Sequence, residues 1–200
     1  SRFIYLGTEN EGNMYQGTWV YLDEHPWTSD DEDAIEEGDD EECPDEGENA
    51  WYYLENDGTP AYLKSTADSM NDATTKVGSS SYFFNEYGVM RTGLIKLSVD
   101  GKNLVGYFGD DSPYDTNPDS YMRTGRQTIY DDAGDRYTFY FGTSGSNKGA
   151  GYNGERDDYL YYEGCLVEAE DGQDYEVFFV DGDAYLVNES GRVQTSSKAY

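Results

Sequence analysis

The sequence predicts an all-β chain, a β-hairpin solenoid of stacked degenerate repeats with little helix, and three observations predict it. Aromatic blocks recur along the 200 residues; most are followed by a Gly, Asn and Asp turn; and Met-Arg-Thr-Gly is written twice, at 90–93 and 122–125. Recurrence of a short unit is the mark of a repeat architecture, in which each unit buries its apolar face on the next.

The blocks are FIYL (3–6), WVYL (19–22), WYYL (51–54), YFF (82–84), YF (107–108), FYF (139–141), YLYY (159–162), VFFV (177–180) and AYLV (184–187). Turns follow at ENDG (55–58), NEYG (85–88), VDG (180–182) and NESG (188–191). Aromatic or β-branched runs ending in residues that accept positive φ read as strands entering tight turns. After the turn, GVMRTG (88–93) is echoed by GRVQTS (191–196), with Val193 at the Met90 position. Met90 is then the inward residue of a return strand and Arg91 its outward neighbour. Gly93 releases the chain into the next hairpin, and the tetrapeptide recurs because the unit recurs. A lone hairpin is marginal in water, so the units must stack. Helical periodicity is nearly absent; STADSMNDATTKVG (65–78) is the one segment that reads as a short helix or a long loop.

Three divisions follow: an N-terminal aromatic repeat at 1–27, an acidic loop or insertion at 28–49, and stacked hairpins over 50–200. Residues 30–48 hold 13 acidic side chains and no basic one. Such a block reads as solvated chain. Clustered carboxylates also suit calcium, although no segment matches the D-x-[DN]-x-[DN]-G loop. Calcium is therefore the one cofactor the sequence suggests, and only weakly.

Composition narrows the function. A hydrophobic fraction of 36% is low for a thick core, so the 21 Tyr, 8 Phe and 3 Trp must supply much of the buried area. A net charge of −29 repels phosphate backbones and anionic lipid, which argues against nucleic acid and membrane partners. Neutral sugars, metal ions and quaternary ammonium groups fit better. No apolar run reaches the about 20 residues of a membrane span. His25 is the one histidine, in a loop-like context without a nucleophile pattern, and Cys43 and Cys165 could close at most one disulfide. No carboxylate pair stands out for acid–base work, so no enzyme activity is expected.

AWYYLENDGTPA (50–61) and SYFFNEYGVMRTGL (81–94) resemble the cell-wall-binding repeat of Gram-positive surface proteins, a superfamily with choline-binding and glucan-binding branches. The family pattern is approximately G-W-x-x-x-x-G-x-W-Y-Y-F-x-x-x-G-x-M-x-T-G. The resemblance implies a noncatalytic module, secreted or on a bacterial cell surface, that attaches a parent protein to a cell-wall polymer through a choline-like cation or a glucan. It also implies sites between hairpins, built from the first and third aromatic of each block and the repeat methionine. Ring faces attract a cation, and a quaternary ammonium donates no hydrogen bond. The candidates are Trp19, Trp51, Tyr53, Tyr82, Phe84, Met90 and Met122, with the intact boxes near Trp19, Trp27 and Trp51. Where the family carries Trp after Thr-Gly, this chain has Leu94 and Arg126, and Arg126 would repel a cation placed against it. The alternative is a structural or adhesive spacer that has lost its ligand sites.

Overall fold

A computed structural model describes residues 14–22, 49–99, 101–110, 116 and 119–195. Among them the chain is all-β, with fourteen strands and one 3₁₀ turn at Gly145–Asn147. The strands form small antiparallel sheets and two compact units. The first unit holds the described residues before 69 with Asp72–Ile95 and Phe108–Met122; the second holds Ser69–Asn71, Lys96–Tyr107 and the described residues from Arg123 onward.

In the first unit, β1 (Thr18–Leu22) pairs with β2 (Ala50–Leu54) in the register Trp19↔Tyr53 and Tyr21↔Trp51. Period-2 alternation sorts the two aromatic blocks onto two faces. Val20, Ala50, Tyr52 and Leu54 bury one face with Val89, leaving Trp19, Tyr21, Trp51 and Tyr53 half-buried on the other. The next hairpin, β3 (Thr74–Val77) and β4 (Ser80–Phe84), is completed by the short return strand β5 (Met90–Arg91), with Phe84 opposite Met90. Residues 74–77 are thus a strand preceded by turns: two threonines and a valine suit the pleated edge of β4 better than a helix. Met90 is buried and Arg91 half-exposed, the alternation expected of the repeat.

The second unit contains the hairpin of β6 (Leu94–Val99, from Lys96 on) and β7 (Lys102–Tyr107). It also contains a five-stranded sheet, formed by β8 (Gly125–Tyr130), β9 (Arg136–Phe141), β10 (Gly154–Arg156), β11 (Tyr159–Tyr162) and β12 (Cys165–Leu166) in the order β10-β11-β12-β9-β8. A last hairpin joins β13 (Glu176–Val180) to β14 (Asp183–Val187), and Val193 bridges back to Val187 as Met90 does to Phe84. Two apolar clusters fill this unit, one on Val105, Tyr107, Ile129, Phe139 and Phe141 and one on Leu160, Val180 and Val187.

One turn is reused in both units. Asn85, Asp131 and Asn188 each accept, through the side-chain oxygen Oδ1, the backbone N–H groups two and four residues on, and Asn188 also accepts the Ser190 hydroxyl. The backbone closes each turn identically: Asn85 N–H to Val89 O at 2.9 Å, Asp131 to Asp135 at 3.0 Å and Asn188 to Arg192 at 3.1 Å. Glu55 makes the same backbone closure onto Thr59, where the nearby Asp57 carboxylate accepts the Thr59 N–H and hydroxyl instead. The glycines at 58, 88, 134 and 191 all have positive φ, which explains why the turn is written with Gly at its fourth place. A short Asn or Asp reaches its own downstream N–H groups and replaces water there.

The two copies of Met-Arg-Thr-Gly differ. The first forms β5; in the second, Met122 and Arg123 lie outside the strands, and the Met122 N–H donates to Ser81 O at 2.7 Å. Gly93 (φ +77°) and Gly125 (φ +74°) keep the same left-handed conformation at the entry to β6 and the start of β8. The acidic segment 30–48, His25, Trp27, Cys43 and the block at 3–6 lie outside the described residues.

Candidate aromatic binding site

In the first unit, the half-buried face of β1 and β2 meets the Tyr82 and Phe84 face of β4. Trp19, Trp51, Tyr53 and Tyr82 surround a buried floor of Ala61, Phe84 and Met90. Ala61 lies three residues after Gly58 and Met90 two after Gly88, so that Pro60, bridged to Leu54, is the residue that matches Met90 opposite Phe84. Trp19 is central: its ring centroid lies 4.8 Å from Tyr82, 5.3 Å from Tyr53, 5.7 Å from Phe84 and 6.2 Å from Trp51. The Trp51, Tyr53 and Tyr82 contacts are edge-to-face, with interplanar angles of 63–86°. Tyr21 extends the group, 5.0 Å from Trp51. Edge-to-face packing places the positive rim of one ring against the negative face of the next, and the outermost faces retain their quadrupole.

Six of the seven candidates therefore come together: Trp19, Trp51, Tyr53, Tyr82, Phe84 and Met90. Met122 does not join them; it is buried elsewhere in the same unit. Phe84 and Met90, at 1% and 2% exposure, support the rings from below, whereas the four outer rings keep access to solvent.

The second unit arranges its rings differently. The Arg156 guanidinium lies 4.5 Å from the Tyr140 centroid and 5.8 Å from that of Tyr152, and these two rings meet edge-to-face at 5.9 Å. Arg126 and Arg192 each lie 5.2 Å from the Tyr159 centroid. Arg192 also donates to the Tyr159 hydroxyl at 3.4 Å and pairs with Asp158, and the tyrosine contact is the main reason its pKa is raised. Nothing in the residue spacing signals these pairs. Arg126, expected to oppose a cation, itself supplies the cation to a ring.

Cys165 is a free, half-buried thiol on the Phe139 cluster, with its pKa pushed up first by burial and then by Glu168. Among the described residues, no group of three His, Cys, Asp or Glu side chains could hold a metal, and no helix is long and apolar enough to cross a membrane. The calcium expectation rested on 30–48, outside the described residues.

No family model matches the chain, and no curated protein matches it. Solved structures to which it is similar include CbpJ from Streptococcus pneumoniae, at 20% identity and a TM-score of 0.49 over 96% of this chain and 45% of that one. Others are the choline-binding domain of CbpL from the same organism (19%, TM-score 0.28, 98% and 84%) and the pneumococcal cell wall endolysin of phage Cp-1 complexed with choline (20%, TM-score 0.35, 74% and 35%). The chain thus spans less than half of the CbpJ chain. The repeat motif resembles the cell-wall-binding superfamily, of which choline-binding proteins are one branch.

Proposed function

We propose that the chain is a noncatalytic, extracellular binding module that holds a parent protein to a cell-wall polymer, with the Trp19 cluster taking a choline-like quaternary ammonium group. The observation that carries this reading is the gathering of four half-buried rings, Trp19, Trp51, Tyr53 and Tyr82, over a closed floor. Such faces attract a desolvated cation by roughly 0.5–2 kcal/mol per contact. The net charge of −29 raises the local cation concentration and adds long-range attraction. A polymer bearing many such groups would be held by avidity if more than one copy of the module engages it.

Retention on choline-substituted agarose in about 1 M salt tests this, because the Debye length there is about 3 Å and ion exchange by the acidic surface is suppressed. Retention with elution by free choline is expected. Passage through the column would remove the reading. The spacer alternative is favoured by one observation, the arginines seated on Tyr140, Tyr152 and Tyr159, which make those rings structural. Passage through the column together with cooperative unfolding would support it.

A further inference from the structure

Within the second unit, several turns converge on a cleft of about 600 Å³, in the range of small-molecule sites. Its wall includes Asn103, Asn147, Asn153, Tyr162, Glu163 and Asp181, contributed by β7, the stretch before β10, the β11–β12 turn and the β13–β14 turn. None of these belongs to the Trp19 cluster.

Glu163 is held at the centre of a fixed polar array. It opens the two-residue turn Glu163–Gly164 with φ +48°, a left-handed conformation that suits Asn, Asp or Gly far better than Glu. Its N–H donates to Asn153 Oδ1. Its carboxylate accepts from Lys96 Nζ at 2.9 Å on one oxygen and from Asn103 Nδ2 at 2.8 Å on the other. These bonds, Lys96 first, hold the carboxyl below the ordinary Glu range. An asparagine would make the turn with less strain but could not reach both donors. Each carboxylate oxygen retains a further lone pair, and the amides of Asn103 and Asn153 retain unused donors. Beside this array Tyr162 is 51% exposed, a large apolar ring left to solvent at a cleft wall.

The chemistry selects one ligand class. A trimethylammonium group donates no hydrogen bond and accepts none, so it would leave the spare amide donors and carboxylate lone pairs unused, and it would meet Lys96 and Lys102. An anion would meet Glu163 and Asp181. A neutral polyol satisfies mixed donors and acceptors and presents an apolar C–H face to a tyrosine. We propose that this cleft binds a neutral pyranose oligosaccharide, with Tyr162 stacked on a sugar ring and Glu163, Asn103 and Asn153 bonded to its hydroxyls. The Trp19 cluster takes no part in this site.

The test is a pair of titrations of the full chain followed by ¹H–¹⁵N correlation spectra, one with isomaltotriose for a glucan source and one with diacetylchitobiose for a wall amino-sugar source. Saturable shifts at the Asn103 and Asn153 side-chain amides and the Glu163 N–H are expected from at least one sugar, with Kd of about 1 mM. Tyr162→Ala and Asn103→Ala should each weaken binding about tenfold, and Tyr162→Phe should retain it. Trp19→Ala should leave the sugar shifts in place while removing any choline response, so failure at one site is read separately from failure at the other. Silence toward both sugars at about 20 mM, shifts confined to the first unit, or unchanged affinity in Tyr162→Ala and Asn103→Ala would overturn the proposal.

Discussion

The rings of the first unit meet other rings, whereas several of those in the second unit meet arginines. Trp19 has Trp51, Tyr53, Tyr82 and Phe84 around it; Arg126 and Arg192 each lie 5.2 Å from the Tyr159 ring, and Arg156 lies over Tyr140 and Tyr152. The same repeat chemistry thus has two outcomes. A ring cluster with outward faces can accept a cation from solution, and a ring already covered by a tethered guanidinium has its attraction satisfied within the chain. The difference teaches that counting aromatic blocks does not count binding sites: the residue seated on each ring decides.

The sharpest way to break this comparison is to delete one ring from each unit. Trp19→Ala removes the centre of a five-ring group and is expected to cost about 3 kcal/mol, while Tyr159→Ala, whose partners are exposed arginines, should cost about 1 kcal/mol. Urea midpoints measured for both variants check the order. Equal losses would mean that the two clusters are not different in kind.

The shared turn gives the next comparison. Asn85 is 3% exposed, so Asn85→Ala leaves the N–H groups of Tyr87 and Val89 without their side-chain acceptor in a buried setting, at about 2 kcal/mol. Asn188→Ala uncovers N–H groups that water can reach and should cost about 1 kcal/mol or less. Thermal unfolding of the two variants would show it.

Arg156→Ala sharpens the account in the other direction. Arg156 is exposed although the Tyr140 ring beneath it is buried, so the loss of stability should be only about 0.5–1 kcal/mol. Freed of the guanidinium, Tyr140 and Tyr152 should gain choline-dependent shifts in their ring resonances that the parent chain lacks. No gain would mean that the arginine is not what closes these rings to a ligand.

The smallest effect is one of pH. The Glu163 carboxyl titrates below its ordinary value in the folded chain because Lys96, then Asn103, hydrogen-bonds its ionised form. Its stabilisation is therefore present above the ordinary Glu pKa and is lost as pH falls through the lowered, folded value. The Lys96 partner is exposed and the Glu163 side chain keeps about a fifth of its surface open to water, so solvent screening keeps the step slight. Comparing the acid limb of Tm against pH in the parent chain and in Glu163→Gln should show it, with the variant flatter; identical limbs would mean that the Lys96 pair contributes nothing.

Much of this was legible in the sequence. Strand alternation alone put Trp51 with Tyr53 and Tyr82 with Phe84 on shared faces, and the turn residues located Gly58, Gly88 and Gly191. The return-strand role of Met90 followed from the same alternation. The pairing of β1 with β2 was not legible, because a local period names a face without naming the strand opposite. Nor did spacing reveal Arg126 and Arg192 on Tyr159, since side chains distant in sequence meet there only through folding. Met122 shows the limit of motif transfer: its four letters match those at Met90, yet its neighbours place it outside the cluster. The sugar cleft was hidden for a similar reason, being assembled from turns that each look ordinary alone.

The most direct test of the central claim is a choline titration followed by tryptophan fluorescence. The three tryptophans are at 19, 27 and 51, so the signal reports only on the N-terminal part of the chain. A saturable change is expected, absent in Tyr82→Ala, whose ring lies 4.8 Å from Trp19. No change at about 50 mM choline, or a change that Tyr82→Ala leaves intact, would contradict a cation site at the Trp19 cluster.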